Sequence, residues 1–173
     1  EHDQPVGPGE TGMLAVGGPC PIGYHKDPEK TARTFRTVNG QRVSVPGDWA
    51  AVEADGSITL LGRGSLCINT AGEKVFPEEV EEALETHPCV RDSTVVGVPD
   101  RNMGEAVAAV VQLTDGAALT AHELTAHVKV RLAGYKAPRH ILFVDDIGRS
   151  PNGKADYAGT RQRLLDHLAS IAT

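Results

Sequence analysis

The pattern of turns and apolar runs changes near Gly62, which rules out a fold made from one kind of structural unit. Before this point, short apolar runs are joined by Asn39-Gly40 and Asp55-Gly56, dipeptides that strongly indicate tight β-hairpins. After it, helical patterns alternate with strand-like runs. We therefore predict an α+β chain, with a small antiparallel, β-barrel-like subdomain over residues 1–63 and a compact α+β domain over residues 64–173.

Capping residues mark where three helices begin. Asp27 followed by Pro28 starts a short helix, because Pro is favoured at the first helical position. Pro77 opens a second helix, whose glutamates lie near its positive end. Thr120 with Glu123 forms a capping box for a third. Strand-like runs cover residues 13–16, 38–45, 49–53, 57–61, 90–98, 106–113 and 140–144, and a last helix is expected over residues 157–170.

The charge balance argues against binding to nucleic acid or to a membrane surface. The chain has 17 Lys and Arg against 23 Asp and Glu, a formal net charge of −6, whereas both of those partners attract basic surfaces. Several basic residues nevertheless occur late in the chain, and they form either solvated faces or a docking surface for a phosphate-bearing ligand. They are Arg131, Lys136, Arg139, His140, Arg161 and Arg163.

Cysteine use points to an intracellular protein. Cys20, Cys67 and Cys89 are odd in number and widely spaced, so we expect reduced thiols, neither a disulfide framework nor a zinc site. The histidines show no metal-binding spacing, and no metal site is predicted. With no bilayer-length apolar stretch and an acidic start, we predict a cytoplasmic protein without a transmembrane segment. The early entry into Gly-rich, strand-like sequence predicts a piece of a longer chain.

The first segment that could carry chemistry is Gly47-Asp48, directly before a strand-like run. An ionised Asp at a strand entrance can accept hydrogen bonds from two adjacent hydroxyls, as in the binding of a ribose diol. The plainer interpretation is an ordinary Gly-Asp turn.

The second segment extends from Gly62 to Glu81. Gly64 and Ser65 are small enough for a joint that absorbs large backbone changes. Gly72 lets the backbone approach a ligand closely. Composition alone favours a plain hairpin followed by a capped helix.

The third segment extends from Arg149 to Lys154. Its Pro-Asn-Gly turn presents one lysine at the tip of a loop. Taken alone, Lys154 would be a solvated lysine, since most surface lysines have no specific partner.

The order and spacing of these segments together resemble the adenylate-forming superfamily, which includes acyl-CoA synthetases, firefly luciferase and the adenylation domains of nonribosomal peptide synthesis. The resemblance covers essentially the whole chain, with residues 62–81 similar to the family's linker motif and residues 149–154 similar to its Ser-Gly-Lys motif. The roles that it implies are nucleotide binding for Asp48 and Arg63, a hinge at Ser65, a pantetheine tunnel at Gly72, Glu73 and Lys74, and the catalytic cation of adenylation for Lys154.

The resemblance implies an ATP-dependent acyl-CoA synthetase, an AMP-forming acid–thiol ligase of the branch that acts on long-chain fatty acids and sterol side-chain acids. Its substrates would be ATP with Mg²⁺, a carboxylic acid and CoA, and its products would include AMP. The family's phosphate loop belongs to a large N-terminal domain, so that domain would be a required partner and this chain alone is expected to be inactive. Two alternatives stay open: an adenylation domain that loads a carrier protein, and a non-catalytic module that binds a nucleotide or a partner.

The chain departs from the family pattern at three places. Pro46 precedes Gly47 where Thr is usual, and Ser65-Leu66 replaces a commonly acidic hinge pair. Ala155 follows Lys154 in a stretch without the usual Arg. The hinge expectation therefore rests on position and small size.

Overall fold

A computed structural model describes residues 3–171, and the chain divides after Ser65 into two units. We call the residues up to Ser65 unit 1 and the residues from Leu66 onward unit 2.

The described part of unit 1 consists of short antiparallel strands and one helix. Its elements are β1 (Thr11–Met13), β2 (Val16–Gly17), α1 (Pro28–Thr34), β3 (Phe35–Val38), β4 (Gln41–Ser44), β5 (Asp48–Val52) and β6 (Ile58–Arg63). Strands β1, β5 and β6 form one three-stranded sheet, and β2, β4 and β3 form another. The antiparallel pairing agrees with the prediction, but within residues 3–65 both sheets stay open and no barrel closes.

The two predicted hairpins are confirmed, and their turn residues explain them. Asn39 (φ 49°) and Gly40 (φ 76°) both lie in the left-handed region, as a two-residue turn that matches strand twist requires. Asp55 accepts a hydrogen bond at 2.9 Å from the Ser57 amide before β6. The single strand predicted over residues 13–16 was wrong, because β1 and β2 belong to different sheets and the chain crosses between them within two residues.

Unit 2 has a mixed sheet with helices on both faces. Its elements are β7 (Ile68–Thr70), β8 (Glu73–Val75), α2 (Pro77–Glu85), β9 (Val90–Asp100), β10 (Gly104–Leu113), α3 (Ala121–Arg131), β11 (His140–Val144) and α4 (Tyr157–Ile171). These bounds confirm the predicted strands over residues 90–98, 106–113 and 140–144 and the predicted helix starts. The Thr120 hydroxyl accepts from the Glu123 amide at 3.2 Å, and the Thr120 amide donates to the Glu123 carboxylate at 2.9 Å, which completes the capping box.

Strand β10 is the centre of the sheet. It pairs antiparallel with β9 along its whole length. Its other edge pairs in parallel with β11 and, at Gly104 and Thr70, antiparallel with β7. Because both faces are covered, alternate β10 residues enter two separate cores. The residues toward α2 and α3 are Val107, Ala109 and Val111, and those toward α4 are Ala106, Ala108 and Val110.

The two ends of this sheet carry different loops. At one end, the Ala71 amide of the β7–β8 turn donates to the Met103 carbonyl of the β9–β10 turn at 2.9 Å. At the other end, Arg149 of the loop after β11 bonds to Asp92 near the start of β9. We call them the Gly72 end and the Lys154 end. The eight residue steps of β9 between Asp92 and Asp100 separate them by roughly 26 Å at about 3.3 Å per residue.

Candidate active site

Asp48 and Arg63 lie opposite each other where β5 begins and β6 ends. The Arg63 Nε atom is 3.5 Å from Asp48 Oδ1, with the two side chains 68% and 32% exposed. Gly47, at φ +97°, makes the sharp entry into β5, and its carbonyl accepts from the Gly64 amide at 3.0 Å. The pair therefore presents a carboxylate acceptor beside a guanidinium donor at an accessible strand end, a combination suited to hydroxyl and phosphate oxygens.

Ser65 is the last residue of unit 1 and lies in a short 3₁₀ turn, Gly64–Leu66. Its side chain is exposed. A Cβ atom on Gly64 would lie 2.6 Å from the Trp49 ring nitrogen, so only glycine fits beside Ser65. The expected hinge residue, Ser65, thus directly follows Gly64, where the Trp49 ring leaves no room for a side chain.

Gly72, Glu73 and Lys74 form the tip of the β7–β8 hairpin and the start of β8, and all three are exposed. Ala71 (φ 51°) and Gly72 (φ 87°) make a left-handed two-residue turn. A Cβ atom on Gly72 would meet no atom within 4 Å, so the backbone here faces open space. In its local structure, the segment is also a plain hairpin followed by a capped helix, which is the other interpretation of its sequence.

A cavity of about 530 Å³ lies at the Gly72 end, beside this hairpin. Its polar lining includes Thr70, His122, Lys129, Tyr135 and Arg139. The Thr70 hydroxyl is buried and has no hydrogen-bond partner among the described residues. Thr70 could not be predicted as a site residue from the sequence, because nothing in its local pattern distinguishes it from an ordinary strand residue.

Two of the late basic residues singled out from the sequence have carboxylate partners. Lys136 Nζ is 2.6 Å from Glu79 Oε2, and both side chains are mostly buried. Arg139 Nη1 is 3.3 Å from Asp100 Oδ2. Lys136 therefore stabilises the start of α2, whereas Arg139 also borders the cavity.

Lys154 follows a tight turn whose backbone is held by Ser150. The Ser150 amide and hydroxyl donate to the Lys154 carbonyl at 3.0 and 2.8 Å, and the Gly153 amide returns a bond to the Ser150 carbonyl at 2.8 Å. The Lys154 side chain is exposed. Within residues 3–171 it forms no ion pair (N to O within 4.0 Å). The loop thus presents a single ammonium group that is available to an anionic ligand.

Arg149 attaches this loop to the sheet. Its Nε and Nη2 atoms donate to the two Asp92 carboxylate oxygens at 2.6 and 2.5 Å. The hydrogen bond from Arg149 lowers the pKa of Asp92 below its ordinary value, and bonding to Asp92 raises the pKa of the guanidinium. Asp92 was missed from the sequence, because it lies 57 residues from Arg149 and carries no motif.

Glu81 lies on α2 and lines a cavity together with Arg149, the residue that attaches the Lys154 loop to the sheet. Burial raises the pKa of its carboxyl group to about 7, against a hydrogen bond at 2.8 Å from the Val95 amide that lowers it. Burial, with the nearby Glu81 charge, also raises the pKa of Tyr157 to about 12. A cavity of about 410 Å³ lined by α2 carboxylates and Arg149 opens beside these groups.

The structure brings some of the predicted residues together and separates others. Asp48 and Arg63 form a pair in unit 1, whereas Lys154 and Gly72 lie at opposite ends of the unit 2 sheet. Among the described residues, no group of three or more His, Cys, Asp and Glu side chains is placed to hold a metal ion. Residues 3–171 also contain no helix long and apolar enough to cross a bilayer.

Known proteins resemble this chain in sequence and structure. Residues 79–154 match the family described as AMP-binding enzyme C-terminal domain. The chain is 57% identical over 151 residues to a medium/long-chain-fatty-acid–CoA/3-oxocholest-4-en-26-oate–CoA ligase of Mycolicibacterium smegmatis. It is 58% identical over 151 residues to a 3-oxocholest-4-en-26-oate–CoA ligase of Rhodococcus rhodochrous. Each match covers 87% of this chain and 27% of the relative, so the chain spans about a quarter of their length.

The structural similarity covers both units of the chain. The o-succinylbenzoate CoA synthetase of Bacillus subtilis, in complex with its acyl-adenylate intermediate, matches with a TM-score of 0.79 and 30% identity over 88% of this chain and 31% of that one. The α+β class and the family expected from the motifs are thereby confirmed. The chain belongs to the adenylate-forming superfamily of AMP-binding enzymes, the group of the acyl-CoA synthetases, and contains their C-terminal domain.

Proposed function

We propose that this chain works as part of an AMP-forming acid–thiol ligase, in which it assists both half-reactions. A carboxylate attacks the α-phosphorus of ATP and releases pyrophosphate, giving an acyl-adenylate. The CoA thiol then attacks the acyl carbon and AMP leaves. One observation carries the proposal: the Lys154 ammonium, which forms no ion pair within residues 3–171, and the open turn at Gly72 lie at opposite ends of one packed unit.

The Lys154 end serves the first half-reaction. Two anions must meet there, and negative charge develops on phosphate oxygens as the new bond forms. A lysine presented by a fixed turn supplies positive charge where it is needed, and ATP brings Mg²⁺ with it. Loss of one such preorganised group typically costs about 10²–10³ in rate.

The Gly72 end serves the second half-reaction. The pantetheine arm of CoA is long and narrow, and Gly72 offers backbone without a side chain in its path. Glu73 and Lys74 flank that path. The neighbouring cavity, with Lys129 and Arg139 in its lining, has the charge and the volume for the phosphate-bearing part of the same ligand.

Asp48 and Arg63 hold the nucleotide in both half-reactions. The carboxylate accepts from the ribose hydroxyls, and the guanidinium contacts the same nucleotide. Ser65 is the proposed hinge: rotation of unit 2 there exchanges the Lys154 end for the Gly72 end. ATP and the acyl group bind mainly to residues outside this chain, so residues 1–173 alone are inactive.

The acid is proposed to be a medium- or long-chain fatty acid or a sterol side-chain acid. This rests on the names of the relatives from Mycolicibacterium smegmatis and Rhodococcus rhodochrous. CoA rather than a carrier protein is the proposed acceptor for the same reason. Both substrates are available in the cytoplasm, where we place the enzyme.

Replacement of Lys154 by Ala in the intact enzyme tests the function. Acyl-adenylate formation, followed by ATP–pyrophosphate exchange, should fall about 10²-fold or more, because the developing phosphate charge loses its cation. Thioester formation from supplied acyl-adenylate should stay within about twofold, since Lys154 is then remote. Lys129→Ala at the other end is the matched lysine control and should spare adenylation.

Two results would count against this assignment. If Lys154→Ala slowed both half-reactions equally, the Lys154 end would not be specific to adenylation. Thioester formation with a pantetheinylated carrier protein and none with CoA would instead favour the carrier-loading alternative.

A further inference from the structure

We propose that Arg149, held by Asp92, is the positioning residue that fixes the Lys154 loop on the end of the sheet. Arg149 does not touch substrate in this arrangement; it acts through the backbone of the loop. The proposal rests on the role given to Lys154 under the proposed function, and it adds two residues to the machinery of the first half-reaction.

The anchor on the sheet side is well defined. Arg149 donates one hydrogen bond to each carboxylate oxygen of Asp92, and its Nη2 atom also donates to the Ser93 carbonyl at 3.3 Å. Asp92 is itself oriented, because its Oδ1 atom accepts from the Ser93 amide at 2.8 Å. The two side chains are only 35% and 23% exposed. An ion pair with two hydrogen bonds between a guanidinium and a carboxylate fixes direction as well as distance.

The anchor on the loop side reaches the peptide unit before Lys154. Arg149 Nη1 donates to the Gly153 carbonyl at 3.4 Å, while Ser150 holds the Lys154 carbonyl. The backbone on both sides of the Lys154 α-carbon is therefore constrained.

The second half of the loop has few other attachments to unit 2. Residues 145–147 are held separately, since Gln112 donates to the Asp145 carbonyl and Arg163 donates to the Ile147 carbonyl. Within the described part of the chain, the side-chain hydrogen bonds from residues 149–154 to the sheet all come from Arg149. The hydrogen bonds of Ser150 with Gly153 and Lys154 fix the internal shape of the turn, but they do not fix its position on the sheet.

The position of the Lys154 ammonium should determine the rate of adenylation. A catalytic group that is misplaced by about 1 Å can lose about 10²-fold in rate. Without the Arg149–Asp92 pair, the Lys154 ammonium would sample many positions. The rate of adenylation would then fall although Lys154 itself is intact.

The kinetic test uses Arg149→Ala, Arg149→Lys, Asp92→Ala and Asp92→Asn in the intact enzyme. We expect the kcat of adenylation to fall about 10-fold to 10²-fold in the two Ala variants, with the KM for the carboxylic acid within about twofold. Thioester formation from supplied acyl-adenylate should be unchanged. Arg149→Lys should recover only part of the rate, because an ammonium cannot make both bonds. The variant that combines Arg149→Ala with Asp92→Ala should be no slower than the slower of the two single variants, since both changes remove the same ion pair.

Arg91→Ala is the matched control. Arg91 adjoins Asp92 on β9 and pairs with Asp115 at 3.7 Å in a largely exposed ion pair. Among the described residues, its side chain forms no hydrogen bond or ion pair with the Lys154 loop. Its removal should leave both half-reactions unchanged.

A second measurement does not depend on activity. Trypsin cleaves after lysine, and a loosened loop should be cut after Lys154 about tenfold faster in Arg149→Ala and Asp92→Ala than in the parent or in Arg91→Ala. The cleavage site and its rate are read by mass spectrometry. Unchanged cleavage and unchanged adenylation in the Ala variants would overturn the proposal, as would equal loss of both half-reactions. If the Ala variants lost adenylation selectively while Lys154→Ala kept it, the proposed function of Lys154 would be contradicted. The cleavage rates would still decide whether the Arg149–Asp92 pair holds the loop.

Discussion

Glu81 is an ionisable residue that becomes largely buried where helix α2 packs on the sheet. Its carboxyl group lies between α2 and β9, and burial is the largest influence on its pKa. The Val95 amide and Arg149 favour the ionised form, whereas the charges of Glu78 and Glu85 oppose it. The result is a pKa of about 7, so this carboxyl group takes up a proton near neutral pH.

This shift predicts a dependence of stability on pH. The folded pKa of about 7 exceeds the ordinary value of 4.5, so the folded state binds the extra proton between these values and the free energy of unfolding falls as pH rises from about 4.5 to 7. The full change is about 3 kcal/mol at most. Glu81→Gln keeps an acceptor for Val95 and should lose this slope. Hydrogen exchange of the β9 and β10 amides between pH 5 and 8 measures it.

The comparison of variants is needed because other groups titrate in the same range. Burial lowers the pKa of His127, which makes stability rise with pH in that window, opposite to Glu81. Exposed Glu82→Gln on the same helix is the matched control and should keep the parent slope. An identical slope in Glu81→Gln and the parent would show that Glu81 ionises normally.

The β7–β8 hairpin carries the open turn that we assign to the pantetheine path. Gly72→Leu in the intact enzyme should block thioester formation by at least about tenfold and leave ATP–pyrophosphate exchange running, because the new side chain fills the proposed pantetheine path. Backbone strain at positive φ should cost about 1–3 kcal/mol of stability. Gly116→Leu, at φ +75° in equally open space, should cost the same stability and spare both half-reactions. Normal thioester formation in Gly72→Leu would contradict the tunnel role.

Structural features that depend on neighbouring residues could be predicted from the sequence, whereas those that depend on distant residues could not. Caps and tight turns were predictable, since Thr120 with Glu123 and Asn39 with Gly40 act through neighbours within three residues. The change of sheet between β1 and β2 was not predictable, because no residue near it in the sequence indicates that the chain leaves one sheet for the other. For the candidate site, the loop of Lys154 was evident from its Pro-Asn-Gly turn. Its anchor at Asp92 depends on strand pairing that brings distant residues together, and local patterns carry no such information.

The buried apolar side chains are distributed unequally between the two units. In unit 1 only Val43, Val45 and Ala50 are buried among the described apolar residues, while large side chains such as Ile58 and Leu60 are more than half exposed. Unit 2 contains the other buried apolar residues that the structure describes, and all of them except Phe76 lie in two cores on opposite faces of one sheet. Since apolar burial supplies most of the free energy of folding, the stability of the chain should reside in unit 2.

Residues 66–173 should therefore fold alone, whereas residues 1–65 should not. We expect the longer piece to unfold in one cooperative thermal transition, followed by circular dichroism, and its amide signals in NMR spectra to be well dispersed. Leu84→Ala in that piece should destabilise it by about 2–5 kcal/mol, because Leu84 is fully buried. Residues 1–65 should give poorly dispersed amides that exchange rapidly with solvent. Slow exchange in the isolated unit 1, or a gradual transition in residues 66–173 that Leu84→Ala leaves unchanged, would show that apolar burial does not decide which unit is autonomous.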